Sequence, residues 1–111
     1  MKILSRAEEF ILLTILKLKD NAYGVSIREQ ILKDTGSQWS FASIYTPLNK
    51  LKRKGFVKKN KGNPIPERGG KSKYFYLVTK EGKKALIELY EARQKIWSGV
   101  PRIITESEAD K

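Results

Sequence analysis

The side chains that could do chemistry in this sequence are mostly cationic, and they are concentrated in one segment. Between Lys50 and Lys84 there are 13 lysines or arginines and only two acids, Glu67 and Glu81, whereas the remainder of the chain carries ten basic and ten acidic residues. The whole net charge of +11 therefore lies within 35 residues. Such a segment favours a polyanion as partner, because each neutralised phosphate releases counterions. A lysine-rich face that only meets solvent is the alternative.

The same sequence offers little for catalysis. It contains no cysteine and no histidine, so disulfides and thiolate metal sites are excluded. The clustered acids, Glu8–Glu9 and Glu88–Glu91, lie in strong helical patterns and are better explained as surface and capping charges. The glycine pair Gly69–Gly70 does not belong to a phosphate-binding loop motif. We therefore predict a protein that is not an enzyme, with no catalytic residue, metal or cofactor.

Length and composition favour a small globular protein. The chain has 111 residues, of which 40% are hydrophobic and 32% charged. No run approaches the roughly 20 apolar residues that cross a bilayer. The first four residues are followed by Arg6, Glu8 and Glu9, which is not the pattern of a signal peptide. These observations predict a cytoplasmic protein without a membrane partner.

The first predicted helix begins at a capping box formed by Ser5 and Glu8, and it runs to about Leu18. Residues 10–16 are apolar nearly all the way round, which is wider than the stripe of a surface helix. This helix is therefore expected to contact its own core and a second partner, such as another subunit. A helix buried entirely in the core remains the other interpretation.

A second helix, from about Val25 to Thr35, is predicted to end at Gly36, and a third follows the N-cap Ser40. On the third helix an arc of about 120° is apolar and is predicted to face the core: Phe41, Ile44, Tyr45, Leu48 and Leu51. The opposite arc is polar and basic: Ala42, Thr46, Asn49 and Arg53, flanked by Ser43 and Lys50. Small and polar residues in the first turns could approach base edges, and the cations of the later turns could contact phosphates. An ordinary amphipathic helix with one solvent-exposed face would show the same pattern.

Pro47 interrupts this third helix in sequence. It has no N–H to bond the carbonyl of Ser43, and its ring crowds the preceding turn. We therefore expect the helix to start late, near Ser43, or to bend locally.

Two short strands are predicted next, Phe56–Asn60 and Tyr74–Val78. The segment between them is rich in glycine and proline, which indicates a hairpin with a long tip. Tyr74 and Tyr76 share one face of the second strand. They either pack within the hairpin or offer rings on which bases could stack.

The last predicted helix runs from Lys80 to about Ser98 after the N-cap Thr79. Its apolar seam repeats at a spacing of three and four: Ala85, Leu86, Leu89, Tyr90, Arg93, Ile96 and Trp97. Gly99 and Pro101 interrupt it, and the polar residues 105–111 are expected to form a flexible tail.

Three segments, taken together and in this order, resemble the PadR family of bacterial transcriptional regulators. They are Tyr23-Gly24, the run from Ala42 to Val57, and the run from Gly69 through Tyr74 and Thr79 to Gly82. The resemblance implies an α+β, mainly α fold, a winged helix-turn-helix with a C-terminal dimerisation helix, and the short last helix is typical of the small subgroup. It also implies a winged-helix DNA-binding domain of residues 1–79 and a dimerisation helix and tail of residues 80–111.

In that family the third helix enters the major groove of a palindromic operator and the wing touches the DNA backbone or minor groove, usually to repress transcription. With Arg53 from the polar arc, the DNA-binding positions here would be Ala42, Ser43, Tyr45, Thr46, Asn49, Lys50, Arg53, Lys71 and Lys73. The family dimerises through its last helix packed on the first, which implies interface positions Phe10, Leu13, Leu86, Leu89, Tyr90, Arg93, Ile96 and Trp97. Many members sense phenolic or planar aromatic compounds, so the resemblance implies a small aromatic effector as well as double-stranded DNA and a second copy of the chain.

Functions of another class remain open. A winged helix can serve as a protein-interaction module, or as an architectural protein that binds nucleic acid without sequence preference. An excess of random competitor DNA distinguishes these from a specific regulator, because non-specific affinity at physiological salt is typically ~10⁻⁴–10⁻⁶ M.

Overall fold

The computed structural model describes residues 3–62 and 73–101, and in those ranges it shows a mainly helical fold with a two-stranded hairpin. The elements in chain order are α1 (Arg6–Leu18), a 3₁₀ turn (Lys19–Asn21), α2 (Gly24–Thr35), α3 (Phe41–Arg53), β1 (Val57–Lys61), β2 (Tyr74–Val78) and α4 (Lys80–Trp97). The predicted α+β, mainly α fold is confirmed. The expected flexible tail and most of the hairpin tip lie outside the described residues.

Side chains supplied by the sequence cap three of the helices at their N-termini. The predicted capping box at α1 is confirmed: the Ser5 hydroxyl accepts from the Glu8 N–H at 3.1 Å, and the Glu8 carboxylate accepts from the Ser5 N–H at 2.8 Å. The hydroxyls of Ser40 and Thr79 each accept a backbone N–H at 3.1 Å at the starts of α3 and α4. Each bond satisfies a donor that has no partner within the helix.

The α2 helix begins at Gly24, one residue earlier than predicted. The reason is that the Ser26 hydroxyl, inside the first turn, accepts a hydrogen bond from the Tyr23 N–H at 2.9 Å. The helix ends as expected at Gly36, whose positive φ of 73° closes the last turn in the left-handed conformation.

The late start expected for α3 is wrong. The helix begins at Phe41, directly after its cap, so Pro47 lies inside it. A proline removes only its own N–H, and burial of Ile44 and Leu48 on the same helix holds the turn around it in place. The polar arc of α3 therefore extends from the first turn to the last.

The core is built from aliphatic side chains on the first three helices. The largest fully buried ones are Ile11, Leu12, Ile15, Ile27, Ile31, Ile44, Leu48 and Leu51. Burying each such side chain contributes about 1.5–3 kcal/mol. The base of the hairpin and the first turns of α4 extend this core through Phe56, Val57, Tyr76, Ala85 and Leu86. Because α1, α2, α3 and the hairpin share one core, the polar arc of α3 is held in a defined orientation.

Two aromatic residues predicted to face the core lie at the surface instead. Phe41 is 43% exposed and Tyr45 is 39% exposed. Their rings stack on each other with centroids 6.3 Å apart, and the Arg28 guanidinium lies 4.5 Å from the centre of the Phe41 ring. Both residues are at the edge of the apolar arc, where α3 meets α2 rather than the centre of the core.

The hairpin is antiparallel and is attached to the helices by its second strand. Val57 pairs with Val78 and Lys59 with Tyr76. The Tyr76 N–H donates to the Ala22 carbonyl at 2.8 Å, which joins β2 to the segment that precedes α2. The position of the hairpin is therefore set by the helices and not only by its own pairing.

An ion pair with a buried carboxylate joins the start of α1 to the end of α3. The Lys54 ammonium donates to the Glu8 carboxylate at 2.7 Å, and the Glu8 side chain is only 5% exposed. Burial would raise the pKa of Glu8, but the hydrogen bonds from Lys54 and from the Ser5 N–H lower it below its ordinary value of 4.5. The pair fixes the C-terminal end of α3 on α1.

We expect Glu8→Gln to destabilise the protein by about 1–3 kcal/mol at pH 7, because the buried side chain at position 8 then loses its ion pair with the partly exposed Lys54. A carboxyl with a lowered pKa contributes stability above its unfolded pKa, and that contribution is lost as the pH falls through the folded value. The difference between the wild-type protein and the variant should therefore shrink below about pH 4.5. Urea denaturation at pH 7 and at pH 3 measures it.

The matched control is Asp34→Asn. Asp34 also pairs with a lysine, Lys17, at 2.6 Å, and its pKa is lowered by that hydrogen bond, but the pair is exposed. Exposed ion pairs contribute little, so this variant should unfold like the wild-type protein. Equal effects of the two substitutions would show that burial of the Glu8–Lys54 pair is unimportant.

Candidate nucleic-acid interface

The polar arc of α3 faces solvent along its whole length. The exposed side chains are Ala42, Ser43, Thr46, Asn49, Lys50 and Arg53. The helix contains no acid, and its last turn carries Lys50, Lys52 and Arg53. The face therefore offers small and polar groups at its N-terminal end and cations at its C-terminal end. Small and polar groups allow close approach to base edges, and cations form strong contacts with phosphates.

The first turn of α3 is fixed by α2. The Arg28 guanidinium donates from Nε to the Trp39 carbonyl at 2.6 Å, immediately before the helix. Lys54, at the other end, is held by Glu8 and is less available to a phosphate than its neighbours Lys50 and Arg53. Both ends of the exposed face are thus anchored to the body of the protein.

The hairpin adds further cations beside α3. Lys58, Lys59 and Lys61 on β1 are exposed, and Lys73, just before β2, is half-buried. Lys71, which was also predicted to bind DNA, lies outside the described residues, as does the glycine pair next to it. The part of the hairpin that the structure describes therefore contributes three lysines from β1 and one that precedes β2.

A small cavity of about 230 Å³ lies where α2, α3 and the hairpin meet. Its lining comes from separate parts of the chain: Tyr23, Gly24, Val25, Tyr45, Lys59, Lys73, Tyr74 and Tyr76. A Cβ atom at Gly24 would overlap the Tyr45 hydroxyl, so the glycine allows that tyrosine to lie against the start of α2. The sequence did not indicate this site, because no local motif connects its four segments.

The two tyrosines of β2 have different surroundings. Tyr76 is only 3% exposed and belongs to the core, whereas Tyr74 is 46% exposed. Burial, and then the neighbouring Tyr45, raise the pKa of Tyr76 above its ordinary 10.0, so its hydroxyl stays protonated as a donor. The Tyr74 ring is covered by the Lys59 ammonium at 4.4 Å from its centre. Hairpin packing therefore accounts for Tyr76.

An apolar groove of about 360 Å³ lies between α1 and α4, away from the arc of α3. It is lined by Leu13, Leu16, Lys83, Leu86, Ile87 and Tyr90. Leu13 is 43% exposed, Ile87 57% and Tyr90 64%, which is unusual for large apolar side chains that lie side by side. Leu16 and Ile87 were not among the predicted interface positions, although the helical spacing of Ile87 from Tyr90 was a usable signal.

The predicted interface residues do not all lie in this groove. Leu13, Leu86 and Tyr90 line it, and Leu86 also belongs to the core of its own chain. Leu89 packs partly against that core, while Phe10 stacks on Trp39 with centroids 6.3 Å apart. Arg93 binds both carboxylate oxygens of Glu9, at 2.7 and 3.1 Å, and ties α4 to α1. Ile96 and Trp97 are exposed at the far end of α4.

Within residues 3–62 and 73–101, no three acidic, histidine or cysteine side chains are placed to hold a metal ion. None of the helices in these ranges has the length and apolar character that a membrane crossing requires.

Comparison with known proteins gives one family. The model of the "Transcriptional regulator PadR-like family" matches residues 12–88, which include α1 from its second turn, the exposed face of α3, the hairpin and half of α4. None of the curated proteins compared matches the chain in sequence.

Solved structures with the same fold include three transcription regulators. A PadR-like transcription factor from Bacteroides fragilis superposes with a TM-score of 0.71 and 23% identity, over 86% of this chain and 87% of that one. A transcriptional regulator from Clostridium thermocellum superposes with a TM-score of 0.66 and 20% identity, over 90% of this chain and 100% of that one. A PadR family transcription regulator from Clostridium difficile superposes with a TM-score of 0.58 and 24% identity, over 89% of this chain and 95% of that one. At this identity the likeness establishes the fold.

Proposed function

Because the chain belongs to the PadR-like family of transcriptional regulators, we propose that it is a dimeric, sequence-specific DNA-binding protein that represses transcription at a palindromic operator. One observation carries the proposal: the polar arc of α3 is exposed from the first turn to the last, contains no acid and ends in three cations. A helix of this kind fits the major groove, since its first turns can approach base edges while its last turn meets phosphates.

In this proposal residues 1–79 bind DNA and residues 80–111 hold two copies together. Ala42, Thr46 and Asn49 contact bases, and Lys50, Arg53 and the wing lysines contact the backbone. The division is supported by the placement of the two surfaces, because the apolar groove between α1 and α4 is lined by none of the DNA-contacting residues. Both surfaces can therefore be occupied at once.

The groove between α1 and α4 supports a two-fold dimer. Its large exposed apolar side chains would be covered if the same groove of a second copy packed against it, which is the isologous contact of a C2 dimer. Two recognition helices related by a two-fold axis reach half-sites about one helical turn apart, ~34–36 Å. This predicts an operator with two inverted half-sites at that spacing.

Asn49→Ala tests the assignment of the recognition helix. Asparagine can bond an adenine edge with two hydrogen bonds, and such a pair contributes about 1–3 kcal/mol of discrimination. We expect the variant to lose about tenfold or more of its preference for operator over random duplex, with unchanged affinity for random duplex. The operator is first selected from genomic fragments, and both affinities are then measured by fluorescence anisotropy at physiological salt.

Lys50→Ala serves as the comparison, because it removes a cation from the same helix. It should weaken binding to operator and random duplex alike and reduce the salt dependence by about one unit of slope per subunit. If Asn49→Ala behaved in the same way, Asn49 would be a phosphate contact. If random competitor removed the wild-type protein from every selected fragment, the protein would be a non-specific binder.

A further inference from the structure

We propose that the ring of Phe41 contacts the methyl group of a thymine in the major groove and thereby contributes to the choice of operator. The proposal rests on the proposed function and deepens it, because it assigns a base contact to a residue that the apolar period of α3 places on its core side. Phe41 is the first residue of α3 and is 43% exposed. Among base-pair edges in the major groove, thymine alone presents an apolar methyl group, and phenylalanine is one of the side chains that contact it.

Phe41 begins a row of exposed side chains that leads into the polar arc of α3. Tyr45 and Asn49 follow it at intervals of four residues, and all three are exposed. Four residues correspond to about 400° of helical rotation, so each step turns the row by about 40°, away from the buried side and towards the polar arc. The ring of Phe41 therefore lies at the start of the surface that ends at Asn49, about 12 Å away along the helix axis.

Contacts with two neighbours hold the Phe41 ring in place. The Arg28 guanidinium of α2 lies 4.5 Å from the centre of the ring, and its Nε donates to the Trp39 carbonyl at 2.6 Å. The Tyr45 ring stacks on Phe41 from the next turn, with centroids 6.3 Å apart. A side chain that is already ordered loses little rotamer freedom when it binds a further group. Arg28 is therefore a positioning residue for Phe41.

The charge around the ring favours DNA as the source of the apolar group that it contacts. The Arg28 guanidinium is beside the ring, α3 contains no acid, and the last turn of the same helix carries three cations. Such a surface attracts the phosphate backbone of a duplex. The exposed Ala42 beside Phe41 leaves room for a close approach to base edges. A duplex held there brings the methyl groups of its thymines to the start of α3.

Replacement of single thymines by deoxyuridine removes only the methyl group and provides the measurement. One thymine in each half-site should respond, and its replacement should weaken binding of the wild-type protein by about fourfold, as expected for losing the burial of one methyl-sized group. Replacement in both half-sites should weaken binding by about 16-fold, the square of that factor. Affinities are measured by fluorescence anisotropy at physiological salt, on the operator selected from genomic fragments.

Phe41→Ala should abolish the response at this thymine and leave the responses at all other thymines unchanged. Its salt dependence should equal that of the wild-type protein, because no charge is altered. Phe41→Leu keeps an apolar side chain and should retain a response of about twofold per half-site. Leu32→Ala is the matched control: Leu32 is 39% exposed but lies on α2, so every deoxyuridine response should stay at its wild-type size.

Arg28→Lys tests the positioning role, since it keeps the positive charge but removes the Nε donor to Trp39 and the planar guanidinium beside the ring. The response at the Phe41 thymine should fall from about fourfold to about twofold, with an unchanged salt dependence. A response that stays at its full size would show that Arg28 does not position the ring.

The proposal is overturned if no thymine of the operator is coupled to Phe41, which includes the case in which the ring serves only the contact with α2 or a protein partner. Thermal unfolding of each variant is measured alongside, and Phe41→Leu decides the matter if Phe41→Ala is unfolded. A wild-type protein that prefers an operator but shows no coupling refutes this inference alone. A wild-type protein that prefers no fragment over random duplex refutes the proposed function.

Discussion

Leu16→Asp is expected to convert the proposed dimer into monomers. Leu16 lines the groove between α1 and α4 and is 39% exposed in the single chain. A dimer that covers this groove would bury an unpaired carboxylate twice, once in each subunit, because a two-fold interface repeats every substitution. Each buried unpaired charge costs several kcal/mol, so the dissociation constant of the dimer should rise by a factor of at least about 100.

Leu32→Asp is the matched control. Leu32 is also a leucine at 39% exposure, but it lies on α2 and does not line the groove. Sedimentation equilibrium should find this variant in the same oligomeric state as the wild-type protein, and Ile87→Asp should behave like Leu16→Asp. If Leu16→Asp and Ile87→Asp were both dimeric, the two-fold contact would have to be elsewhere on the chain.

The loss of the dimer should also weaken binding to the operator. A monomer engages one half-site, so the two binding events are no longer linked through a high effective concentration. Operator affinity of Leu16→Asp should fall by about 100-fold or more, while its affinity for a duplex with a single half-site should remain close to that of the wild-type protein. Equal losses on both duplexes would indicate damage to the DNA-binding domain instead.

Gly82→Ala is expected to destabilise the protein despite a better helix propensity. Gly82 is buried in the first turn of α4, where an added Cβ would overlap the Phe56 carbonyl and approach a Val78 methyl to 2.8 Å. Alanine would gain about 1 kcal/mol over glycine in an open helix. Forcing atoms into a packed site costs about 1–3 kcal/mol or more, and this carbonyl is also held by the Thr79 N–H at 3.0 Å. The cost of the steric clash should therefore exceed the gain in helix propensity, so the variant should be less stable than the wild-type protein.

Chemical denaturation followed by circular dichroism measures this effect. Lys84→Ala, at an exposed position of the same helix, is the control and should unfold at nearly the same denaturant concentration as the wild-type protein. A Gly82→Ala protein that is as stable as the control would mean that α4 can move away from the hairpin without loss. In that case the orientation of α4, and with it the groove, would be less constrained than the packing indicates.

Local patterns were sufficient for the elements and for the charged face of α3. Ser5 with Glu8, Ser40 and Thr79 each cap the helix that the sequence assigned to them, because a cap needs only side chains within three residues. The exposed arc of α3 also followed from its periodicity, since a helix with three buried aliphatic side chains must turn its opposite side to solvent.

Contacts between distant segments were not predictable in this way. Phe41 and Tyr45 satisfy the apolar period of α3 but lie at its edge, where the neighbouring α2 presents Gly24 and Arg28 instead of aliphatic side chains. The start expected near Ser43 was wrong because the Ser40 hydroxyl caps the helix by accepting from the Ser43 N–H at 3.1 Å, and Pro47 lacks only its own N–H.

By itself, then, the sequence determined the helices, the hairpin and the placement of the cationic surplus, because periodicity, capping and charge are properties of neighbouring residues. Only the tertiary structure decided that Lys59 and Lys73 line one cavity with the start of α2 and Tyr76, and that Leu16 and Ile87 share one groove. Those juxtapositions depend on how α1, α2, α3, the hairpin and α4 pack around a common core, and the pairing of side chains across that core is a property of the whole chain.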